Sequence, residues 1–219
     1  MDEYLKNINF SNFTNVKIDI GLSYNAPHSQ LWLENNKDNK LLVLGVEPNP
    51  YNLKTLLSKN IQKQHTSHSD PIEDKYINTQ FFVLPIALSN VEKPTNKMFY
   101  SMNKDGGTSS LYKPIDSSLG DIKDVVSVPV FSLKHLFDVF PWDKINKIDY
   151  IKIDAQGSDL DILISAGDYL KERVVYITAE PEFYAYENCE HNNSNNIDKY
   201  LFSQNFIRIK HKNTVDPTY

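Results

Sequence analysis

Four runs of apolar residues, rich in β-branched and aromatic side chains, stand out along the chain. Each run is almost continuously hydrophobic and ends in polar or acidic residues. This pattern is typical of strands that helices cover on both faces, so it predicts a parallel sheet. The runs span residues 16–20, 41–46, 150–153 and 174–178.

Segments with the spacing of helices lie between these runs, at residues 29–34, 51–58 and 160–166. A further short strand is predicted at 81–84, and a helix at 195–203 precedes a strand at 206–209. Alternation of strands and helices predicts an α/β fold with a doubly wound, mostly parallel, Rossmann-like sheet. In such a sheet, ligands bind at the carboxyl ends of the strands, near the topological switch point.

The chain of 219 residues is of ordinary size for one domain, and 40% of its residues are hydrophobic. We therefore expect a single domain over residues 1–219. An insertion at residues 90–128 interrupts the alternation, with strand-like pieces at 97–101 and 125–130. Its Gly106–Gly107 pair precedes a run of hydroxyl side chains, which indicates a lid or a substrate loop.

Charge and cysteine content restrict the partners and the compartment. The formal net charge is -5, and no basic stripe is present, which disfavours a nucleic-acid partner. Cys189 is the single cysteine and cannot form a disulfide within the chain. No signal-peptide pattern and no apolar run of membrane-spanning length occurs, so we expect a cytoplasmic protein with no membrane partner.

The first candidate site is the turn after the first predicted strand, which carries Asp19 and Gly21. Glycine allows a ligand to approach the backbone, and the start of the next helix offers free N–H donors. The glycine pattern of dinucleotide-binding proteins is absent, because Ser23 and Ala26 occupy positions that would need glycine. The turn therefore favours a nucleotide-like cofactor other than a dinucleotide.

The second candidate is Glu47, which follows the second predicted strand and precedes Pro48 and Asn49. An acid at this edge of the sheet can accept hydrogen bonds from the hydroxyl groups of a ribose. The alternative is that Glu47 caps the helix that follows near Pro50.

The third and most specific motif runs from residue 148 to 163. It places Lys152 and Asp154 on the same face of a strand and passes through Gly157 into a helix. A charged pair in a buried strand costs free energy unless the charges compensate each other or serve a function. The pair is therefore either catalytic or a buried structural ion pair.

Together these motifs resemble the FkbM family of S-adenosylmethionine-dependent methyltransferases. The resemblance rests on Asp-Ile-Gly at 19–21, Glu-Pro at 47–48, Ser-Val-Pro-Val-x-Ser-Leu at 127–133 and, above all, Ile-Lys-Ile-Asp-x-x-Gly at 151–157. It covers residues 16–209 and implies the class I methyltransferase fold. It also implies S-adenosylmethionine as cofactor and a hydroxyl group of a sugar or natural product as the methyl acceptor.

The resemblance also implies roles for individual residues. The turn after the first strand would hold the methionine part of the cofactor, the acid after the second strand would hold the ribose, and the residues after the third strand would lie near the adenine. These cofactor-binding residues are Asp19, Gly21, Ser23, Asn25, Glu47, Pro48, Asn49, Ala87 and Ser89.

The chain departs from the family pattern at two positions. Asn25 stands where a second glycine is usual, and asparagine tolerates the left-handed conformation better than most residues. Gln156 stands where the family usually has an acid. Either Gln156 still orients the substrate, or that role belongs to Asp159 or Glu180.

A sugar hydroxyl becomes a good nucleophile when a base takes its proton or a metal stabilises the alkoxide. Asp154, Glu180 and Glu182 follow two predicted strands, and their oxygens suit Mg²⁺ or Mn²⁺, as in catechol-type O-methyltransferases. Without a metal, Asp154 or His191 would act as general base, with Lys152 offsetting the negative charge nearby. Both routes remain open.

Candidate acceptor-binding residues lie in the insertion and after the fifth predicted strand. Ser109 and Ser110 belong to a loop that is either a wall on the acceptor side or an idle hairpin, and Gln156 is a separate candidate for orienting the acceptor. Tyr184 either stacks on the face of a sugar or belongs to the core.

The sequence thus predicts a single-domain O-methyltransferase that acts on a sugar or glycan. Two alternatives remain: a catalytically silent nucleotide- or cofactor-binding module that serves a partner protein, and a nucleic-acid methyltransferase. Residues 212–219 follow a predicted strand at 205–211, so the hairpin that normally closes this fold has a short last strand, lacks it or receives it from elsewhere. In a longer polypeptide, a glycosyltransferase would be a suitable partner to deliver the acceptor.

Overall fold

The computed structural model describes residues 1–58, 71–209 and 216–219. The strands in this part of the chain are β1 (Asn15–Ile20), β2 (Leu41–Val46), β3 (Phe81–Leu84), β4 (Ala87–Leu88), β5 (Thr95–Met102), β6 (Ile122–Phe131), β7 (Ile148–Ile153) and β8 (Val174–Ala179). The α-helices are α1 (Asp2–Leu5), α2 (Pro27–Glu34), α3 (Pro50–Leu56), α4 (Leu133–Asp138), α5 (Asp159–Ser165), α6 (Tyr169–Arg173) and α7 (Ser194–Ser203).

The main sheet has five parallel strands in the order β3-β2-β1-β7-β8. The chain runs outwards from β1 to β3 on one side and returns to β7 and β8 on the other. The carboxyl ends of β1 and β7 therefore lie side by side at the switch point, where a doubly wound sheet binds its ligands. The predicted α/β fold with a mostly parallel sheet is confirmed.

Burial explains why the apolar runs form this sheet. Every residue of β2 is buried, as a strand covered on both faces requires. The larger apolar cluster joins β1, β7 and β8 to α4, α5 and α7. A smaller cluster joins β2 and β3 to α2 and α3 on the other face.

The insertion forms a second, three-stranded sheet with the order β4-β6-β5. Strands β5 and β6 pair as an antiparallel hairpin, and β6 also pairs in parallel with β4. Both strand-like pieces expected in the insertion are therefore strands. The hairpin brings residues 106–111, which we call the wall loop, back to the carboxyl edge of the main sheet.

The turn after β1 is tight. Gly21 has a φ of +84°, and a Cβ at this position would lie 1.8 Å from the backbone oxygen of Asp154. Asn25, which we expected to replace a glycine in the left-handed conformation, does not do so. Ser23 (φ 56°) and Ala26 (φ 48°) adopt the left-handed conformation instead, and Ala26 is the N-cap residue directly before α2.

The strand predicted at 206–209 is wrong as an extended element, because only Ile209 makes a β-bridge, to Thr218. Thr218 also forms an antiparallel bridge to Thr178 of β8. The last residues therefore lie between β8 and Ile209, as in an abbreviated closing hairpin. The end of the longer strand predicted at 205–211 lies outside the described residues.

Among the described helices, none combines the length and the apolar character needed to cross a membrane.

Candidate active site

A cleft opens at the carboxyl edge of the main sheet. The turn after β1, the ends of β2 and β7, the start of α5, strand β4 and the wall loop surround it. Seven of the candidate site residues from the sequence line it: Gly21, Ser23, Glu47, Pro48, Ala87, Ser109 and Asp154. The topology therefore brings three separate motifs of the sequence to one cavity.

Two of the expected cofactor residues lie directly behind this surface. Asp19 is 1% exposed, and its Oδ2 accepts a hydrogen bond of 2.6 Å from Ser29. Asn49 is fully buried and caps α3, since its side chain accepts a hydrogen bond from the backbone N–H of Tyr51. Its amide nitrogen donates to the hydroxyl of Ser109, which ties the wall loop to α3.

The other two expected cofactor residues are buried away from the cleft. The backbone oxygen of Asn25 accepts a hydrogen bond from the N–H of Ile72. The hydroxyl of Ser89 accepts a hydrogen bond from Lys97. Leu88 and Phe99 line the cleft beside Ala87 instead, and together they form an apolar wall.

Glu47 is a buried carboxyl group at the cleft, only 4% exposed. Burial raises its pKa to about 8, although N–H donors from Asn49, Asn52 and Ser23 oppose this shift. One carboxyl oxygen accepts a hydrogen bond of 2.8 Å from the N–H of Asn49. Because Asn49 itself caps α3, the alternative that Glu47 is the helix cap is excluded.

Lys152 joins the turn after β1 to the end of β7. Its ammonium group donates hydrogen bonds of 3.1 Å to the backbone oxygen of Gly21 and to Oδ2 of Asp154. It also lies 3.7 Å from Oδ1 of Asp19. Burial alone would lower the pKa of Lys152, but the charges of Asp154 and Asp19 raise it overall, so the ammonium stays protonated.

Asp154 and Glu180 form a coupled carboxyl pair at the ends of β7 and β8. Burial alone would raise the pKa of Asp154, but Lys152 and hydrogen bonds from Glu180 and Gln156 hold it well below its usual range. Burial, and then the charge of Asp154, raise the pKa of Glu180 far above its usual value. Near neutral pH the pair therefore holds one proton, on Glu180, and Asp154 is ionised.

Asp159 is fully buried at the start of α5. Its carboxyl oxygens accept hydrogen bonds from the backbone N–H groups of Ala155 and Glu180, at 3.4 and 3.1 Å. Burial, and then the charge of Asp154, raise its pKa to about 7. Asp159 thus connects the loop after β7 to the end of β8.

The expected metal ligands Asp154, Glu180 and Glu182 do not assemble into a metal site. Across residues 1–58, 71–209 and 216–219, no three His, Cys, Asp or Glu side chains are arranged to hold a metal ion. The surroundings of Asp154 explain this, because Lys152 faces one carboxyl oxygen and the amide of Gln156 faces the other at 2.7 Å. These residues therefore do not fit a divalent cation.

His191, the second candidate base, lies outside the cleft lining. Its Nε2 is 3.3 Å from a carboxyl oxygen of Asp161, and its ring packs edge-on against Tyr112. The structure thus brings Asp154 to the cleft but not His191.

The residues expected to bind the acceptor occupy different positions. Ser109 lines the cleft, whereas the hydroxyl of Ser110 donates a hydrogen bond to the backbone oxygen of Gln156. Tyr184 is 65% exposed and forms an edge-to-face pair with Phe183, at 5.2 Å between ring centres. This pair follows β8, directly beyond the carboxyl pair.

Sequence reasoning missed two titratable groups, His28 and Asp216, that interact electrostatically with Asp154. Burial lowers the pKa of His28, and the charge of Lys152 lowers it further, whereas the charges of Asp154 and Asp216 oppose this shift. Burial, and then the charge of Asp154, raise the pKa of Asp216. No sequence signal could identify Asp216, because only the return of the last residues along β8 brings it there.

Comparison with known proteins gives one match. Residues 24–208 match the family described as the methyltransferase FkbM domain. Neither the curated proteins nor the solved structures include one that matches the chain. The family match spans most of the 219 residues and includes β2 and β7, which the cleft acids Glu47 and Asp154 directly follow. The chain therefore belongs to the FkbM methyltransferase family.

Proposed function

We propose that this methyltransferase transfers the methyl group of S-adenosylmethionine to a hydroxyl group of a sugar or glycan. The observation that carries the proposal is the cleft itself, which places a buried acid, Glu47, and an ionised acid, Asp154, on one cavity. The first acid suits the ribose of the methyl donor, and the second suits a hydroxyl that must lose its proton.

The cleft residues fit S-adenosylmethionine. Glu47 would accept hydrogen bonds from the ribose hydroxyls, and Ala87, Leu88 and Phe99 offer an apolar wall for the adenine. One buried oxygen of the cleft lining, Oγ of Ser158, has no hydrogen-bond partner in the described part of the chain. Buried polar atoms are normally hydrogen-bonded, so a polar group of the ligand would complete it.

When bound, S-adenosylmethionine supplies a methyl group on a positively charged sulfur. Asp154 would accept the proton of the acceptor hydroxyl while the hydroxyl oxygen bonds to the methyl carbon, the bond from that carbon to sulfur breaks, and S-adenosylhomocysteine leaves. Lys152 holds Asp154 ionised at 3.1 Å, so the base is ready near neutral pH. Because the pKa of Asp154 is low, the proton moves as the new bond forms, and positioning supplies much of the rate.

The exposed rings of Phe183 and Tyr184 support a sugar as acceptor. Large aromatic side chains that remain exposed beside a cleft commonly mark a binding surface. An aromatic ring offers an apolar face to the C–H face of a sugar, while the nearby Glu182 can accept hydrogen bonds from its hydroxyls. These residues follow β8, the strand that pairs with β7, and Asp154 directly follows β7.

The test is methyl transfer from S-adenosylmethionine labelled in its methyl group to four probe classes. The probes are a panel of methyl hexopyranosides, chito-oligosaccharides, catechol and a DNA oligonucleotide, with Asp154→Asn as the matched inactive control. We expect label in a glycoside or oligosaccharide. Label in catechol or in DNA would show that the acceptor is a catechol or a nucleic acid rather than a sugar. Cofactor binding without transfer to any probe would favour the silent-module alternative.

A further inference from the structure

Resting on the proposed function, we propose that Gln156 and Tyr186 act as a pair of positioning residues that hold the Asp154 carboxylate and the wall loop in one rigid arrangement. The pair would fix the base relative to the wall that encloses the methyl donor. Neither residue lines the cleft in the described structure, so both act through their neighbours.

The side chain of Gln156 makes hydrogen bonds in two directions. Its amide nitrogen donates to Oδ1 of Asp154 at 2.7 Å and to Oε2 of Glu180 at 3.3 Å. Its amide oxygen lies 2.8 Å from the hydroxyl of Tyr186, which donates to it. Because the oxygen is held by Tyr186, the two N–H groups must point at the carboxyl pair, and the orientation of the amide is fixed.

Tyr186 connects this amide to the wall loop. It is 1% exposed, and its hydroxyl also lies 2.8 Å from the backbone oxygen of Thr108. A phenol has a single proton, so these two acceptors share it, and a displacement of either one disturbs the bond to the other. Tyr186 itself is held in a small buried cluster with Ala185 and Cys189.

The backbone of Gln156 is held by the same loop. Its φ of +49° is unfavourable for a residue with a side chain, so other contacts must maintain it. The hydroxyl of Ser110 donates a hydrogen bond of 2.6 Å to the backbone oxygen of Gln156. Ser110 and Thr108 belong to the wall loop, whose residues Gly106, Gly107 and Ser109 line the cleft. The wall loop thus bonds directly to the backbone of Gln156 and, through Tyr186, to its side chain.

This arrangement also explains why an amide is suitable at position 156. A glutamate has no N–H to donate and would place a third carboxyl group against Asp154 and Glu180. An amide can donate hydrogen bonds to both carboxyl groups and accept one from Tyr186 at the same time. The placement of the base and the placement of the wall loop therefore depend on the same side chain.

The test compares Tyr186→Phe with Tyr112→Phe by hydrogen–deuterium exchange, measured on the free protein and again with S-adenosylhomocysteine added. Tyr112 packs against the same cluster as Tyr186, but its hydroxyl donates to Asp161. In Tyr186→Phe we expect residues 103–111 and 154–158 to exchange faster together, by about threefold to tenfold for the loss of one hydrogen bond. In Tyr112→Phe neither segment should reach this change. Acceleration of only one segment, or of neither, would overturn the proposal.

The second measurement uses the acceptor that the labelling test identifies. We expect Tyr186→Phe and Gln156→Glu each to lower kcat by about tenfold or more, while the Kd for S-adenosylhomocysteine changes by less than about threefold. The double variant should be no slower than the slower single variant, because both changes break one network. If the losses of kcat in the two single variants multiply in the double variant, the two residues act independently, which would contradict the proposal. The exchange measurement needs no acceptor, so it decides the proposal even where the proposed reaction fails.

Discussion

At the scale of residues, two carboxyl groups of one cleft lie in opposite electrostatic environments. Glu47 is buried with N–H donors and forms no ion pair with any described residue, and its burial raises its pKa to about 8. Asp154 has the Lys152 ammonium 3.1 Å away and an amide at 2.7 Å, so it remains ionised. Such a separation of pKa values within one site often marks different roles, here ribose binding and proton transfer.

The raised pKa of Glu47 predicts that cofactor affinity depends on pH. Ribose hydroxyls donate to a carboxylate, so binding requires Glu47 to lose its proton, which is still bound below its pKa of about 8. We expect the affinity for S-adenosylhomocysteine to rise by up to about tenfold per pH unit from pH ~6 and to level off above pH ~8. Calorimetric titrations of the wild type and of Glu47→Gln measure this dependence, and the variant should show a flat profile. Equal wild-type affinity across this range would contradict the role of Glu47.

Asp154→Asn should separate binding from turnover. The amide cannot accept the hydroxyl proton, so we expect methyl transfer to fall by about 10²–10⁴-fold, while the Kd for S-adenosylhomocysteine changes by less than about threefold. Asp161→Asn is the matched control, since Asp161 lies on α5 but faces Tyr112 and His191. Unchanged turnover in Asp154→Asn would make the Lys152–Asp154 pair a structural ion pair.

At the scale of elements, the tight packing of the turn after β1 against the end of β7 determines the cleft. A Cβ at Gly21 would meet the backbone oxygen of Asp154 at 1.8 Å, and the φ of +84° is itself unfavourable for alanine. Gly21→Ala should therefore lower the free energy of unfolding by more than the roughly 1–3 kcal/mol of backbone strain alone. It should also weaken cofactor binding.

Gly167→Ala provides the matched control for this prediction. Gly167 has a φ of +58°, but apart from its own chain neighbours no atom of the described residues lies within 4 Å of the position of a Cβ. Gly167→Ala therefore measures the backbone strain without a steric clash. Urea denaturation of both variants gives the comparison. Equal destabilisation at the two sites would mean that close packing at Gly21 is not the cause.

The strands were predictable where the chain is almost continuously apolar, and 41–46 and 81–84 coincide with β2 and β3. Three short helices, α1, α4 and α6, were not predicted, because four to six residues give little periodicity. A local signal for α4 existed in Ser132 and His135, which form its capping box. The hydrogen bond between Gln156 and Tyr186 and the electrostatic interaction between Asp154 and Asp216 join distant segments, and no local pattern encodes them.

At the scale of the whole molecule, the last residues complete the edge of the main sheet. Tyr219 is 2% exposed and belongs to the larger apolar cluster. Its backbone exchanges two hydrogen bonds with Ile177 of β8, and its hydroxyl bonds to Asp198 on α7. A single residue therefore ties the end of the chain to both the sheet and a helix.

Tyr219→Ala should destabilise the fold. Removal of a buried aromatic ring typically costs about 3–5 kcal/mol, whereas Tyr219→Phe keeps the ring and should cost about 1 kcal/mol for the lost hydrogen bond. Thermal and urea denaturation of both variants measure the difference. A loss below about 1 kcal/mol in Tyr219→Ala would show that the final residues do not stabilise the edge.

The central claim is that the cleft at the carboxyl ends of β1, β2 and β7 binds S-adenosylmethionine. Calorimetric titration of the purified protein with S-adenosylhomocysteine tests it most directly, once in EDTA and once with Mn²⁺ or Mg²⁺. We predict one site with a micromolar Kd, about -8 kcal/mol, and equal affinity in both conditions, because Lys152 and Gln156 already face Asp154. Binding only with the cation would contradict the metal-free site, and absence of binding in both conditions would contradict the central claim.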